Sequence, residues 1–206
     1  MNKIISHPLI EDKLSKIRDI NTKSTDFRNM LKEISVLMMY EVARDYPLKK
    51  VDIQTPITNT TGYQLKNDLV LVPILRAGLG MVEGISQVVP AAKIGHIGLY
   101  RDENTLSPVE YYTKFPKNIA KSDVLVLDPM LATGLSAVKA ISIIKKHKPR
   151  SIRFVGLVGS PTGLKKLNEM HPDVDIFLAA CDHKLNSKGY ITPGLGDAGD
   201  RIFGTK

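Results

Sequence analysis

The chain has 206 residues, of which 43% are hydrophobic and 24% are charged. This composition excludes an intrinsically disordered chain, because there is enough apolar surface to offset the conformational entropy lost on folding. A chain of this length buries roughly 70% of the surface that it exposes when unfolded, so its folding requires neither disulfides nor a metal. We therefore expect one domain over residues 1–206.

The formal net charge is +8, from 29 lysines and arginines against 21 aspartates and glutamates. A positive balance can indicate nucleic-acid binding, but here the excess is spread along the chain. The densest basic run, residues 145–150, falls where we predict a helix end, and cations there oppose the negative end of the helix dipole. RNA readers favour exposed aromatic side chains, and this chain has no Trp. We expect no nucleic-acid partner; an RNA-binding regulator is the alternative from another functional class.

The sequence also bears on the cellular compartment. Its single cysteine, Cys181, cannot form an intramolecular disulfide, which is typical of a reducing compartment. The first residues contain no long apolar stretch, so we expect no signal peptide. No run approaches 18 consecutive apolar residues, which predicts that no segment spans a membrane. Together these features predict a cytoplasmic protein without a membrane partner.

The N-terminal part of the chain is predicted to be helical. Residues 8–20 and 25–45 carry apolar side chains at helical spacing, so each segment has one apolar face. Beyond them Val51, Ile53 and Thr55 alternate with polar residues, which predicts a half-buried strand.

The rest of the chain alternates between strands and helices. Near-continuous apolar runs, typical of parallel strands covered on both faces, occupy residues 69–75, 123–128, 152–158 and, more weakly, 174–178. Helical stretches between the runs are predicted over residues 79–89, 135–147 and 162–171. This alternation indicates an α/β fold with a mostly parallel sheet flanked by helices.

The strongest motif is VLVLDPMLATGLS at residues 124–136. An apolar strand ends in Asp128, and a short loop with Thr133, Gly134 and Ser136 leads into a predicted helix. Backbone N–H groups at a helix start, assisted by hydroxyls, form a site for a phosphate monoester. A carboxylate at the strand end is placed to accept hydrogen bonds from sugar hydroxyls. The alternative is a plain strand–turn–helix with a threonine cap.

Two arginines follow predicted strands. The segment VPILRAGLG at residues 72–80 places Arg76 beside glycines, where it can hold two phosphate oxygens. Arg101 ends the segment GLYR and is a second candidate for an anionic ligand. The alternatives are a surface salt bridge for Arg76 and pairing with Asp102 or Glu103 for Arg101.

A glycine-rich segment, GYITPGLGDAGDR, occupies residues 189–201. Its backbone can approach a flat ligand closely, and backbone N–H and C=O groups can read the donor and acceptor edge of a base. Asp197 and Asp200 add negative charge suited to a metal ion or a ribose. The alternative is a solvated loop. Residues 181–206 as a whole show little periodicity, and long loops in compact domains are often functional.

Together these four segments resemble the uracil phosphoribosyltransferase family, over nearly the whole chain. The 124–136 segment resembles the loop that binds 5-phosphoribosyl 1-pyrophosphate (PRPP) in type I phosphoribosyltransferases. The PGLGDAGD segment is more specific, because it resembles the uracil-recognition loop of this one family. The resemblance implies the type I fold with N-terminal helices and a C-terminal hood over the base. It also implies transfer of the phosphoribosyl group of PRPP to N1 of uracil, giving UMP and pyrophosphate.

The resemblance implies the site residues as well. PRPP would be bound by Arg76, Arg101, Asp128, Pro129, Met130, Leu131, Ala132, Thr133, Gly134, Leu135, Ser136 and Asp197. Uracil would be bound by Ile191, Gly196, Asp197 and Ala198. The residues implied to be catalytic are Asp128, Arg76, Arg101 and Asp197. Mg²⁺ would be the cofactor, near Asp197 and held mostly through PRPP. The implied partners are the two substrates, GTP as a candidate effector, and further copies of the chain in a homodimer or larger assembly.

Two positions depart from the patterns of these families. Type I enzymes usually carry two adjacent acids where this chain has Asp128 and Pro129, a loss that the uracil enzymes share and that weakens any claim that this loop holds Mg²⁺. The family usually reads T-G-G-S, and here Leu135 replaces the second glycine. A positive φ at position 135 would cost on the order of 1 kcal/mol. We expect Leu135 in the first helical turn instead, where it costs nothing.

The nearest alternative within enzymes is a phosphoribosyltransferase for another base. Hypoxanthine and orotate enzymes share the PRPP loop but should lack the PGLGDAGD segment.

Overall fold

The computed structural model describes residues 1–102 and 107–205. Within them the helices are α1 (Pro8–Arg18), α2 (Ser24–Val42), α3 (Leu79–Val88), α4 (Leu135–Lys145), α5 (Pro161–Met170) and α6 (Ala198–Phe203), and a 3-10 turn spans Ile119–Lys121. The strands of the same residues are β1 (Asn2–Ile4), β2 (Leu48–Gln54), β3 (Asn59–Leu65), β4 (Asp68–Leu75), β5 (Lys93–Ile94), β6 (His96–Arg101), β7 (Pro108–Lys114), β8 (Ser122–Leu127), β9 (Met130–Leu131), β10 (Ser151–Gly159), β11 (Asp175–Cys181), β12 (Lys184–Leu185) and β13 (Ile191–Thr192).

The main sheet has the strand order β1-β11-β10-β8-β4-β6-β7, with the short strands β5 and β9 paired to β4 and β10. Its strand pairs are parallel. The exception is β7, which runs antiparallel to β6. The predicted mostly parallel α/β sheet is therefore confirmed.

Hydrophobic clusters cover both faces of this sheet, which explains the near-continuous apolar runs. In β4, Leu69 and Leu71 pack into the cluster that includes α1, α2 and α3. Their neighbours Val70 and Val72 pack into the opposite cluster, with α4 and α5. Because successive side chains of a strand point to opposite faces, neighbouring residues of the run reach the two cores in turn.

The predicted N-terminal helices form as α1 and α2, slightly shorter than expected. The expectation of a half-buried strand around Val51 was wrong in one respect. The strand β2 exists, but it pairs with β3 in a separate two-stranded hairpin. Ile53 is 44% exposed, and Thr55 lies beyond the end of the strand. Alternation predicted the strand correctly, but burial requires a second layer, and β2 contributes no side chain to either described cluster.

Residues 181–206 are more ordered than their lack of periodicity suggests. A ribbon of β12 and β13 precedes the short helix α6. Ile191, Leu195, Ala198 and Ile202 anchor this part of the chain in the cluster formed with α1 to α3. No helix in the described ranges has the length and apolar character needed to cross a bilayer.

Candidate active site

The predicted functional loops meet at one edge of the sheet. Strands β4 and β8 are parallel neighbours, with Pro73 opposite Leu127, so Arg76 and Asp128 follow the same edge. The two loops approach each other closely: a Cβ on Gly78 would lie 2.3 Å from the carbonyl oxygen of Leu127. Ligands in open α/β sheets bind beyond the carboxyl ends of the strands, and this is that edge.

A cleft of about 410 Å³ opens at this edge. The 124–136 segment and the 189–201 segment form opposite walls of it. The lining residues are Ala77, Asp128, Met130, Ala132, Lys188, Gly189, Tyr190, Ile191, Gly196, Asp197, Ala198 and Gly199. All four residues predicted to bind uracil and several of those predicted to bind PRPP therefore surround one space.

A smaller pocket of about 70 Å³ adjoins the cleft and is lined by Asp128, Met130, Leu131, Ala132, Thr133, Gly134, Ser136 and Ala137. Gly134 has φ +80°, a conformation that L side chains rarely adopt. Helix α4 then begins at Leu135, whose N–H lies 3.5 Å from the hydroxyl oxygen of Thr133. The expectation that Leu135 occupies the first helical turn is confirmed. The loop therefore presents the start of an eleven-residue helix to the pocket.

The start of α5 supports this loop from behind, a feature that the sequence reasoning missed. The Ser160 hydroxyl donates to the carbonyl of Ala132 at 2.6 Å, and it also caps α5 by accepting from the N–H of Gly163. A Cβ on Gly163 would lie 2.4 Å from the carbonyl oxygen of Leu131. A serine before proline signals a helix start, but nothing in the spacing shows which loop that helix supports.

Asp128 is the titratable group of the cleft whose pKa is most displaced. Burial, with a smaller contribution from the nearby negative charge of Asp197, raises the pKa of this carboxyl to about 7. The N–H of Met130 donates to it at 3.2 Å and partly opposes the shift. A carboxyl group in this state can change its charge near neutral pH.

The cleft wall formed by the 189–201 segment is held in place by Arg18 at the end of α1. Its guanidinium donates to both carboxylate oxygens of Asp182, each at 2.7 Å, and to the carbonyl oxygen of Gly194. Asp182 also accepts from the N–H of Gly194 at 2.7 Å. Burial pushes the pKa of Asp182 upward, but Arg18 and this N–H hold it below its usual value. The turn that leads into the cleft wall is thus held by a buried charged network.

The residues predicted to bind uracil all line the cleft. Ile191 and Ala198 are buried, whereas Gly196 and Asp197 are exposed, and Gly196 has φ +80°. Asp197 caps α6, because its carboxylate accepts from the N–H of Asp200 at 2.9 Å. Gly189 and Tyr190 of the predicted 189–201 segment also line the cleft, as does Lys188, which lies just outside that segment.

The structure tests the prediction for Arg76 but not for Arg101. Arg76 has a half-exposed side chain, and its guanidinium lies 3.5 Å from the carboxylate of Asp200. The ion-pair alternative is therefore real, yet the pair lies at the rim of the cleft, with Nη2 4.0 Å from the Cβ position of Gly199. Arg101 ends β6, but its side chain, like Glu103, lies outside the described part of the structure.

The acidic groups suit a metal ion that arrives with its substrate. Across residues 1–102 and 107–205, no cluster of three His, Cys, Asp or Glu side chains could hold a metal by itself. The cleft contains the carboxylates of Asp128 and Asp197. Mg²⁺ is typically held by one or two carboxylates together with substrate phosphates and water, and this donor set fits that pattern.

Comparisons with known proteins agree with this geometry. The family described as uracil phosphoribosyltransferase matches residues 4–205. The uracil phosphoribosyltransferase of Ureaplasma urealyticum serovar 10 is 60% identical over 207 residues, covering 100% of both chains. The protein of the same name from Staphylococcus aureus strain Newman is 56% identical and covers 98% of both chains.

Solved structures give the same result for the fold. The AQ2163 protein of Aquifex aeolicus superposes with a TM-score of 0.95 at 42% identity, over 98% of both chains. A hypoxanthine phosphoribosyltransferase of Staphylococcus aureus superposes with a TM-score of 0.52 at 15% identity, over 83% of this chain and 80% of that one, and shows the fold alone. Taken with the match over residues 4–205, these likenesses show that the chain belongs to the uracil phosphoribosyltransferase family.

Proposed function

We propose that the chain is a pentosyltransferase that moves the 5-phosphoribosyl group of PRPP to N1 of uracil, releasing pyrophosphate and forming UMP. The observation that carries this proposal is one cleft with two complementary walls. One wall is a phosphate-binding type of loop that ends in the helix α4. The other is a rigidly held glycine-rich backbone, suited to reading a flat base.

The loop residues divide the work on PRPP by their chemistry. Backbone N–H groups and hydroxyls of residues 133–136 bind the 5′-phosphate at the start of α4. Asp128 accepts hydrogen bonds from the ribose hydroxyls at the end of β8. Arg76 and Arg101 hold the pyrophosphate, because a guanidinium can donate to two phosphate oxygens at once. Pro129, Met130, Leu131 and Ala132 shape the path of the loop between these groups.

In the reaction, the bond from C1′ to the pyrophosphate oxygen breaks and the bond from N1 of uracil to C1′ forms. Positive charge develops on the ribose while negative charge grows on the leaving group, and the N1 proton of uracil passes to the released pyrophosphate or to solvent. Asp128 and Asp197 favour the positive centre, and the arginines stabilise the departing pyrophosphate. Mg²⁺ bound through PRPP would supply further positive charge to the leaving group. No covalent bond to the protein is required, so catalysis relies on positioning and electrostatics.

Uracil recognition is proposed to rest on main-chain groups. Gly196, Asp197 and Ala198 present N–H and C=O groups that can pair with the polar edge of the base, while the buried Ile191 supports its apolar face. Because backbone groups make these contacts, the type of side chain at each position matters less than the fixed path of the loop. That path is what Arg18 and Asp182 hold in place.

A substrate panel tests the proposal directly. The purified chain is incubated with PRPP, MgCl₂ and one base at a time: uracil, cytosine, hypoxanthine or orotate. We expect pyrophosphate release and a nucleoside monophosphate with uracil alone. Product with orotate or hypoxanthine and none with uracil would overturn the assignment of the base. A salt-sensitive RNA complex without transferase activity would support the regulatory alternative instead.

Several further features belong to the same proposal. We propose Mg²⁺ as the cofactor, a homodimer or larger homo-oligomer as the working form, and GTP as a candidate effector. A single domain and a cytoplasmic location complete it. Chelation with EDTA, sedimentation velocity and a GTP titration of the initial rate test the first three in turn. Activity that survives full chelation, or a strictly monomeric active species, would contradict the corresponding part.

A further inference from the structure

The C-terminal helix α6 touches Arg76, the arginine that the proposed function assigns to pyrophosphate. The carboxylate of Asp200 lies 3.5 Å from Nη2 of Arg76. The guanidinium also lies over the ring of Phe203, 5.7 Å from its centroid, which is within range of a cation–π contact. One short helix therefore offers the Arg76 side chain both a carboxylate and an aromatic ring.

Asp200 is itself held firmly. The Asp200 side chain is 17% exposed, against 56% for Arg76. The hydroxyl of Thr205 donates to Oδ1 of Asp200 at 2.6 Å. The backbone N–H of Asp200 donates to the carboxylate of Asp197 at 2.9 Å. The long arginine side chain is therefore tied to a short, fixed acid. An arginine that is already oriented loses less rotamer entropy when it binds an anion.

The contact with Asp200 leaves donors of the guanidinium for a ligand. Arg has five N–H donors, and the ion pair with Asp200 engages Nη2. Because Nη2 carries two N–H groups, the pair with Asp200 uses one of the two donor edges of the guanidinium, and the other edge can bind two phosphate oxygens. Because the Arg76 side chain is more than half exposed and the pair is 3.5 Å long, this ion pair contributes little to folding stability.

We propose that Asp200 and Phe203 are positioning residues, which hold Arg76 in the orientation that binds the pyrophosphate of PRPP. This inference rests on the proposed function and deepens it. Because Asp197 caps the same helix and its backbone faces the base, α6 also joins the uracil wall to the pyrophosphate arginine. Asp200 does not touch the reacting atoms in this scheme and acts through Arg76.

A double-mutant cycle tests the proposal, using Asp200→Asn, Arg76→Ala and their combination. In the parent background, Asp200→Asn should raise KM for PRPP about three- to tenfold and change KM for uracil less than about twofold. In the Arg76→Ala background the same change should alter kcat/KM for PRPP by less than about twofold, since its target is gone. Binding of magnesium pyrophosphate, measured by calorimetry, should follow the same pattern.

Matched variants separate positioning from structure. Thr205→Val removes one of the two contacts that hold Asp200 but keeps its carboxylate, so it should raise KM for PRPP by less than Asp200→Asn does. Phe203→Leu keeps apolar bulk but removes the ring, and should raise KM for PRPP about two- to threefold. It also keeps the proposal testable if Asp200→Asn does not fold.

Two results would overturn the inference. An equal loss from Asp200→Asn with and without Arg76, or an equal rise in KM for both substrates, would show that Asp200 acts elsewhere. Failure of the proposed function looks different, because the parent protein would then form no UMP from uracil and PRPP. A parent that is active, together with a cycle that shows no coupling, refutes only the role of Asp200.

Discussion

Asp128 is a carboxyl group that the fold places where its charged form is disfavoured. Burial is the main cause of its raised pKa, and the negative charge of Asp197 adds to it. Ribose hydroxyls donate hydrogen bonds more strongly to a carboxylate than to a neutral acid. Substrate binding would therefore draw the group toward its charged form. The same position that serves binding should cost stability in the absence of substrate.

The stability of Asp128→Asn relative to the parent protein is expected to increase as the pH rises. The pKa of this carboxyl is about 7 in the fold, against an ordinary value of 3.8, so between these values the folded protein binds the extra proton. The stability of the parent then falls as the pH rises through this window, whereas Asn has no proton to lose. The advantage of the variant should grow by on the order of 3 kcal/mol between pH 4 and pH 8.

Urea unfolding of both proteins at pH 4, 6 and 8 measures this difference. Asp52→Asn, on the exposed hairpin strand β2, is the matched control, because it makes the same substitution outside the cleft. Asp128→Asn should also lose at least about tenfold in kcat/KM for PRPP. A stability difference that does not change with pH would show that the carboxyl group titrates normally.

Substitution should be tolerated at position 135 but not at position 134. Leu135→Gly should leave KM for PRPP within about twofold, because Leu135 already has a helical conformation and its N–H is unchanged. Gly134→Ala should raise KM for PRPP and destabilise the fold by about 1–2 kcal/mol, because φ is +80° and the new Cβ would lie 2.9 Å from the carbonyl oxygen of Gly163. Initial-rate kinetics and thermal unfolding measure both. A large gain in PRPP affinity for Leu135→Gly would mean that leucine strains the loop.

At the scale of elements, the strand–loop–helix units around the cleft were the most predictable. The strands β4, β8 and β10 pack against a hydrophobic cluster on each face of the sheet. Their sequences are therefore almost continuously apolar, and this pattern predicts buried strands. The functional loops follow from them, since Arg76 and Asp128 come directly after such runs. What the sequence did not show is which remote segment completes each wall. Lys188 and Ser160 lie outside the predicted segments and reach the site through tertiary packing, which leaves no pattern in the local sequence.

The short elements explain the remaining differences. The six-residue helix α6 is too short for an apolar period, although Asp197 at its start and Gly204, with φ +65°, at its end are recognisable caps. Hairpin strand β2 shows the converse, because its alternation is clear but no layer covers it. Periodicity therefore reports the backbone conformation, whereas burial depends on what else the chain brings to that face.

Arg18→Met should weaken the wall that reads the base. It leaves the Asp182 carboxylate, with 8% side-chain exposure, without its cation, which typically costs about 3 kcal/mol. The turn at Gly194 would lose its hydrogen bond from Arg18, and the Asp182 carboxylate that accepts from its N–H would lose its cation, so KM for uracil should rise more than KM for PRPP. The lowered pKa of Asp182 contributes stability that is present above about pH 4 and is lost at lower pH. The cost of Arg18→Met should accordingly shrink on acidification.

Chemical denaturation at pH 7 and pH 4, with kinetics for both substrates, tests the role of Arg18. Lys16→Met is the control on the same helix, since its pair with Asp12 is exposed and should contribute less than about 0.5 kcal/mol. Equal costs for the two variants would show that the Asp182 network does not hold the loop.

Across the whole molecule, the net charge of +8 is divided among very different tasks. Arg18 is tied to Asp182 and Gly194, and Arg201 donates to the carbonyls of Ile17, Leu195 and Asp19. Arg153 is buried, pairs with Asp45 at 2.8 Å and stacks on Tyr46. These arginines connect parts of the chain and are not available to a polyanionic partner. A charge count therefore overstates the basic surface, and this favours a small anion held in one cleft.

PRPP binding should accordingly stabilise the molecule as a whole. A ligand present at 100 times its Kd that binds only the folded state adds about 2.7 kcal/mol. For a chain of this size, that corresponds to a rise in Tm of roughly 5–10 °C. Uracil alone should shift Tm less, since it meets only the 189–201 wall of the cleft. In differential scanning fluorimetry, Gly134→Ala should lose most of the PRPP shift, whereas Asp52→Asn should keep it. An equal shift by ribose 5-phosphate and PRPP would mean that the arginines do not hold the pyrophosphate, and that the 5′-phosphate loop alone provides the binding.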